Sequence, residues 1–191
     1  MCPACRCSLR RMFAQKAQSA AVGGFDLQVL HCTGQLLMAM VGPICVSLWQ
    51  TKPTAELFAI QRAQLAAAVA RNPGKVAFLC VVESSADPPD DAERNASAAM
   101  INEHGANLLG VAGVIESTGF RGAITRTVLS GIVLVIRSRV SIKMFESVRA
   151  ASPWLARCVQ LASLPELHEQ VERGRALLTA CTLRDRETAR A

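Results

Sequence analysis

Along this chain the spacing of apolar positions switches repeatedly between a period of two and one near 3.6, and each switch predicts an element. FDLQVLHC (25–32) alternates Phe25, Leu27 and Val29 with Asp26 and Gln28, Thr33-Gly34 supplies a turn, and QLLMAMV (35–41) returns, the pattern of a β-hairpin. Gly42-Pro43 interrupts the second run, and ICVSLW (44–49) reads as its continuation in one long, broken strand, with a separate edge strand as the alternative. Pro53, with Thr51 or Thr54 as cap, opens an Ala-rich helix over 54–71 with Phe58, Leu65 and Val69 on one face, and Asn72-Pro73-Gly74 stops it. VAFLCVV (76–82) and LLGVAGVI (108–115) are uninterrupted apolar runs of strand length, as in parallel strands covered on both faces.

Between those runs, Asp90 and Glu93 form a capping-box-like start for a helix over 91–104 that Gly105 ends. Ser117 or Thr118 is placed to cap a mostly buried helix reaching about Arg137, with Val128, Leu129, Ile132, Val135 and Ile136 inward. VSIKMF (140–145) alternates like a half-exposed strand near an edge. Ser147 starts a helix through Trp154 and Leu155 that Pro153 is expected to kink or restart at Ser152. Ser163 and Glu166 predict a capping box with Pro165 inside the first turn of a last helix. Its Leu164, Leu167, Val171, Leu178 and Cys181 have heptad-like spacing broken by Gly174, and a frayed charged tail follows Arg184.

Strands alternating with helices imply right-handed crossovers. The predicted fold is α/β: a mixed, mainly parallel sheet of about five strands that opens with a β-hairpin, with helices packed on it and an extra C-terminal helix. Three parts follow: a Cys-rich basic appendage over residues 1–24, an α/β domain over 25–160, and the C-terminal helix and charged tail over 161–191. This order, with KMFESVRAASPWL (143–155) as a last strand running into a helix bearing Trp154-Leu155, resembles the STAS-like superfamily of anti-sigma-factor antagonists in its SpoIIAA-like branch, over roughly residues 25–160. The resemblance implies a regulatory domain that binds a protein partner. In anti-sigma-factor antagonists a Ser within Asp-Ser-Ser-Gly is phosphorylated. Here Glu83-Ser84-Ser85-Ala86 and Glu116-Ser117-Thr118-Gly119 stand instead, so the phosphoswitch is not carried over.

Composition adds bounds. With 191 residues, 51% of them hydrophobic and 19% charged, the chain can bury a real core without staples. The net charge of +6 is uneven: residues 1–16 carry +4, 17–120 carry −4, 121–160 carry +6 and 161–191 sum to zero. Clustered cations suit an anionic surface, and Arg126, Arg137, Arg139, Lys143 and Arg149 would have to share a face to form one. The absence of Tyr, with only two Trp and six Phe, argues against nucleic acid, and a solvated basic face is the simpler reading. Only ten residues lie between Arg126 and Arg137, about half of the ~20 that cross a bilayer, so no transmembrane segment is expected. Residues 1–24 lack the continuous apolar stretch of a secretion signal, so the protein is expected to be cytoplasmic with reduced thiols.

The feature most suggestive of function is internal. VVESS (81–85) and VIEST (114–118) each end a buried run with Glu and two hydroxyl residues. Ligands gather beyond the carboxyl ends of parallel strands, and neighbouring strands lie about 4.8 Å apart. If the two strands are adjacent, Glu83 and Glu116 share a rim with Ser84, Ser85, Ser117, Thr118, Gly119 and Arg121. Paired carboxylates suit acid/base chemistry or a divalent ion, and the bland alternative is exposed strand ends whose hydroxyls cap the next helices. Gly119-Phe120-Arg121-Gly122 would suit a phosphate at a helix start, although close helix packing explains such glycines more often.

Cys2, Cys5 and Cys7 are spaced to ligate a soft metal but need a fourth ligand, which folding could draw from His31 or Cys32. Otherwise no cofactor is implied, and Cys45, Cys80, Cys158 and Cys181 read as inert core thiols. His168-Glu169 begins an HExxH pattern, but Glu172 replaces the second His. The expectation is therefore a non-enzymatic regulatory or interaction domain that docks a protein partner through the rim, with a homodimer through the C-terminal helix, or that helix on the sheet, as its further use. The alternative is a small α/β enzyme or small-ligand binder using Glu83, Glu116 and Arg121.

Overall fold

The computed structural model describes residues 24–84, 86, 90–116 and 138–188, apart from the side chains at 186 and 188. Within them a sheet of six strands runs in chain order: β1 (Leu27–Cys32), β2 (Leu36–Val41), β3 (Ile44–Trp49), β4 (Val76–Val82), β5 (Leu108–Ile115) and β6 (Ile142–Phe145). The first three strands form an antiparallel meander, and β3 to β6 are parallel. The predicted α/β class, the opening hairpin and the mainly parallel remainder are all present. ICVSLW, however, is neither a continuation of the preceding strand nor an edge: it is β3, fully buried between β2 and β4. The physical reason is the turn at Gly42-Pro43. Gly42 takes a positive φ of 55°, which lets the chain reverse in two residues and pair Val41 with Ile44.

Helices cover both faces. On one face lie α1 (Ala55–Arg71) and α2 (Asp91–His104), over a core of Leu57, Leu65, Phe78, Met100 and Val111. Thr54 caps α1, and Asp90 with Glu93 makes the predicted reciprocal capping box on α2. On the other face lie α3 (Val148–Cys158) and α4 (Leu167–Thr188), over Leu48, Leu79, Val81, Val114 and Leu155. Ser147 caps α3, which runs unbroken through Pro153 instead of restarting at Ser152. The hydroxyl of Ser152 donates to the Leu164 carbonyl (2.8 Å), tying α3 to the chain that enters α4.

That bond fixes the start of α4. Leu164 is buried in a turn whose carbonyl also accepts the Leu167 N–H, so Pro165 precedes the helix, and Glu166 accepts from Gln170 at its first turn. The heptad-like residues Leu164, Leu167, Val171, Leu178 and Cys181 are all buried, so the apolar face offered for a homodimer is packed on the sheet of its own chain. Gly174 does not break the helix. A Cβ there would lie 2.9 Å from Leu48 Cδ1, so glycine lets the helix axis approach β3 closely. The last turns also reach further than a frayed tail would: Thr182 donates to the Gly34 carbonyl (3.0 Å), and Asp185 accepts the Gly34 N–H (3.1 Å). None of the described helices is long and apolar enough to cross a membrane.

Candidate functional site

Register brings the two acidic tips together. β4 and β5 are adjacent and parallel, with Val82 opposite Ile115, so Glu83 and Glu116 leave the sheet side by side. Side chains alternate across a strand, and Leu79, Val81, Ala112 and Val114 belong to the core beneath α3 and α4. Two residues beyond Val81 and Val114, both glutamates therefore turn toward that same layer. The arrangement follows directly from two apolar runs of matched length that each end in Glu.

The space between the carboxylates is filled by a residue that motif reading leaves out. Arg175, on α4, donates through Nε to Glu83 Oε1 (2.8 Å) and through one terminal nitrogen to Glu116 Oε2 (2.6 Å), and its other terminal nitrogen pairs with Glu172. The side chains of Arg175, Glu83 and Glu116 are only 19%, 19% and 25% exposed. The planar fork of a guanidinium suits this task, because several donors leave it in fixed directions. Burial, the largest single influence, pulls the Arg175 ionisation down. The hydrogen bond and charge of Glu83, with the charges of Glu116 and Glu172, outweigh it and hold the group more firmly protonated than usual.

Glu116 has a second partner. Its other oxygen accepts the backbone N–H of Val148 (3.3 Å), the first residue of α3, where the helix dipole favours negative charge. The Glu83 backbone N–H donates to the Trp49 carbonyl (2.9 Å), which extends the β3–β4 ladder by one bond. The rim is thus a clasp joining the ends of β4 and β5 to α3 and α4. An acid/base pair or a divalent ion would need that gap, and a cation belonging to the chain already occupies it.

Of the remaining predicted rim residues, Ser84 is exposed at the start of the following turn. Ser85, Ser117, Thr118, Gly119 and Arg121 lie outside the described residues, as do the helix expected to reach Arg137, the terminal cysteines Cys2, Cys5 and Cys7, and Arg126. Arg139, Lys143 and Arg149 of the proposed basic face are exposed. His168 stands 3.8 Å from Glu172 as one of an ordinary helical pair. No group of three or more His, Cys, Asp or Glu able to hold a metal occurs among the described residues. An open groove of about 450 Å³ lies between α1 and α2, lined by Pro53, Phe58, Arg62, Ala96 and Met100, and none of the rim glutamates contributes to it.

The thiols separate into two kinds. Cys45 is buried, which pushes its thiol up to about 12, and burial raises Cys80 and Cys158 as well, in keeping with inert core residues. Cys181 differs from that expectation, because its sulfur lies 2.8 Å from that of Cys32 on β1.

No family model matches the chain, and no curated protein matches it significantly. Among solved structures the chain is similar to an uncharacterised protein of the DUF3478 family with a SpoIIAA-like fold from Shewanella loihica PV-4. The two are 16% identical, the match covers 73% of this chain and 99% of that one, and the TM-score is 0.41.

Proposed function

We propose that this protein is a non-enzymatic interaction domain of the cytoplasm that docks a protein partner through the strand-end rim around Glu83, Ser84 and Ser85 and residues 116–121. The observation that carries this reading is the Arg175 clasp. Both strand-end carboxylates are bound inside the chain by one guanidinium, so the described part of the rim is an edge held in place by Arg175 rather than a pair of free acids awaiting substrate. Rigid edges favour docking because little conformational freedom is lost when a partner binds. A small-molecule enzyme built on the same glutamates would require Arg175 to leave them.

Capture of partners by the tagged full chain, in extracts of the cell it comes from, tests the proposal. The expected result is one protein bound near stoichiometrically by the parent chain and by Lys75→Glu, a substitution at the opposite end of β4. Ser84→Arg should weaken that binding by about tenfold or more, the effect of about 1.4 kcal/mol at an interface. Equal capture by Ser84→Arg, equal loss in Lys75→Glu, or no stoichiometric partner would overturn it.

A further inference from the structure

Cys32 closes β1 and Cys181 lies in the second half of α4, 149 residues apart in sequence, yet their sulfur atoms approach to 2.8 Å. A disulfide needs about 2.05 Å, so a movement of less than an ångström would complete the bond. Among the described thiols this is the pair in sulfur contact. Cys181 is buried and receives a hydrogen bond from the Arg184 guanidinium (3.2 Å), while Cys32 is half-buried and faces the backbone carbonyls of Thr33 and Leu177.

We propose that Cys32 and Cys181 form a reversible disulfide, made by a hydroperoxide, that staples α4 to the end of β1. Cys181, the sulfur with a cationic donor in contact, takes the first step. Its sulfur attacks the peroxide: an S–O bond forms, the O–O bond breaks, and the thiol proton passes to the departing oxygen, which leaves as water or an alcohol, so that a sulfenic acid remains on Cys181. The sulfur of Cys32 then attacks that of Cys181: the S–S bond forms, the S–O bond breaks, and hydroxide leaves with the Cys32 proton as water. Two thiols lose two electrons and two protons, and the peroxide gains them. Burial and the adjacent Cys181 sulfur push the Cys32 thiol up to about 12, so it is the poorer first nucleophile, and its place as second partner rests on its sulfur contact with Cys181. A dithiol reductant reverses the reaction by exchange.

The staple would act on the helix that the fold depends on at its C-terminal end. α4 holds the β1–β2 turn through Thr182 and Asp185, and two turns earlier it carries Arg175. Closing a loop of this length restricts the unfolded chain strongly. The inference is independent of what the rim binds. A transient disulfide of this kind is the form expected of redox-responsive thiols in a reducing compartment.

Peptide mapping of the full chain decides the matter. The reduced protein is treated with hydrogen peroxide, free thiols are alkylated, and the digest is read by mass spectrometry. The expected result is a cross-linked peptide pair joining Cys32 to Cys181, lighter by two hydrogens and abolished by dithiothreitol. A rise in Tm of about 5–10 °C without reductant should accompany it. Cys158→Ala should leave both unchanged, and Cys32→Ala should remove both. Alkylation of Cys32 and Cys181 to the same extent before and after peroxide, or a cross-link from Cys181 to any other cysteine, would overturn the proposal. Because the map is made on the parent chain, it stands even if Cys32→Ala fails to fold.

Discussion

Arg175→Met is expected to lower the unfolding free energy at neutral pH by about 3 kcal/mol, the scale for removing one partner from a buried ion pair. The substitution keeps much of the apolar stem but leaves Glu83 and Glu116 side by side, about three-quarters buried or more, with no cation between them. Glu172, at 48% exposure, contributes little, since water screens it. The same logic predicts a rescue. Adding Glu83→Gln and Glu116→Gln to Arg175→Met should recover all but about 1 kcal/mol, because no uncompensated charge remains. Urea unfolding of the parent, the single variant and the triple variant measures both numbers. Equal losses in the single and triple variants would show that Arg175 acts through packing alone.

Phe78→Ala is expected to cost more, about 4 kcal/mol, within the range for deleting a buried aromatic ring. Phe78 sits in the middle of β4, paired with Cys45 and Val111, is 1% exposed, and packs with the residues of α1 and α2. Its side chain faces away from Glu83, so the variant damages the opposite core and leaves the clasp geometry in place. The urea midpoint should fall with little change in slope, and a folded fraction of Phe78→Ala should still show the Arg175 contacts.

The parallel strands and α2 were legible because local chemistry and tertiary role agree there. VAFLCVV and LLGVAGVI are apolar throughout because both faces of the sheet are covered, and Asp90 with Glu93 is a purely local cap. The Gly42-Pro43 turn is not legible in the sequence because proline within an apolar run signals an edge or an interruption, whereas here it occupies a two-residue reversal between buried strands. The juxtaposition of Glu83 and Glu116 could be anticipated from matched strand ends. Arg175 could not, because it is 92 residues from one glutamate and 59 from the other, and its charge pattern on α4 resembles a solvated face. The one signal was position: Arg175 directly follows Gly174, a small residue within the buried stripe of Val171 and Leu178. The Cys32–Cys181 contact spans still more chain and has no local signature.

The most direct test of the clasp reads the arginine itself. In ¹⁵N NMR spectra of the parent chain, assigned with Arg175→Lys, the Nε–H of Arg175 should exchange with water far more slowly than the same group on other arginines. Glu83→Gln should speed that exchange, since it weakens the acceptor of that hydrogen. Exchange as fast as that of an exposed arginine, unaltered by Glu83→Gln, would mean that the two strand ends are not joined through this side chain.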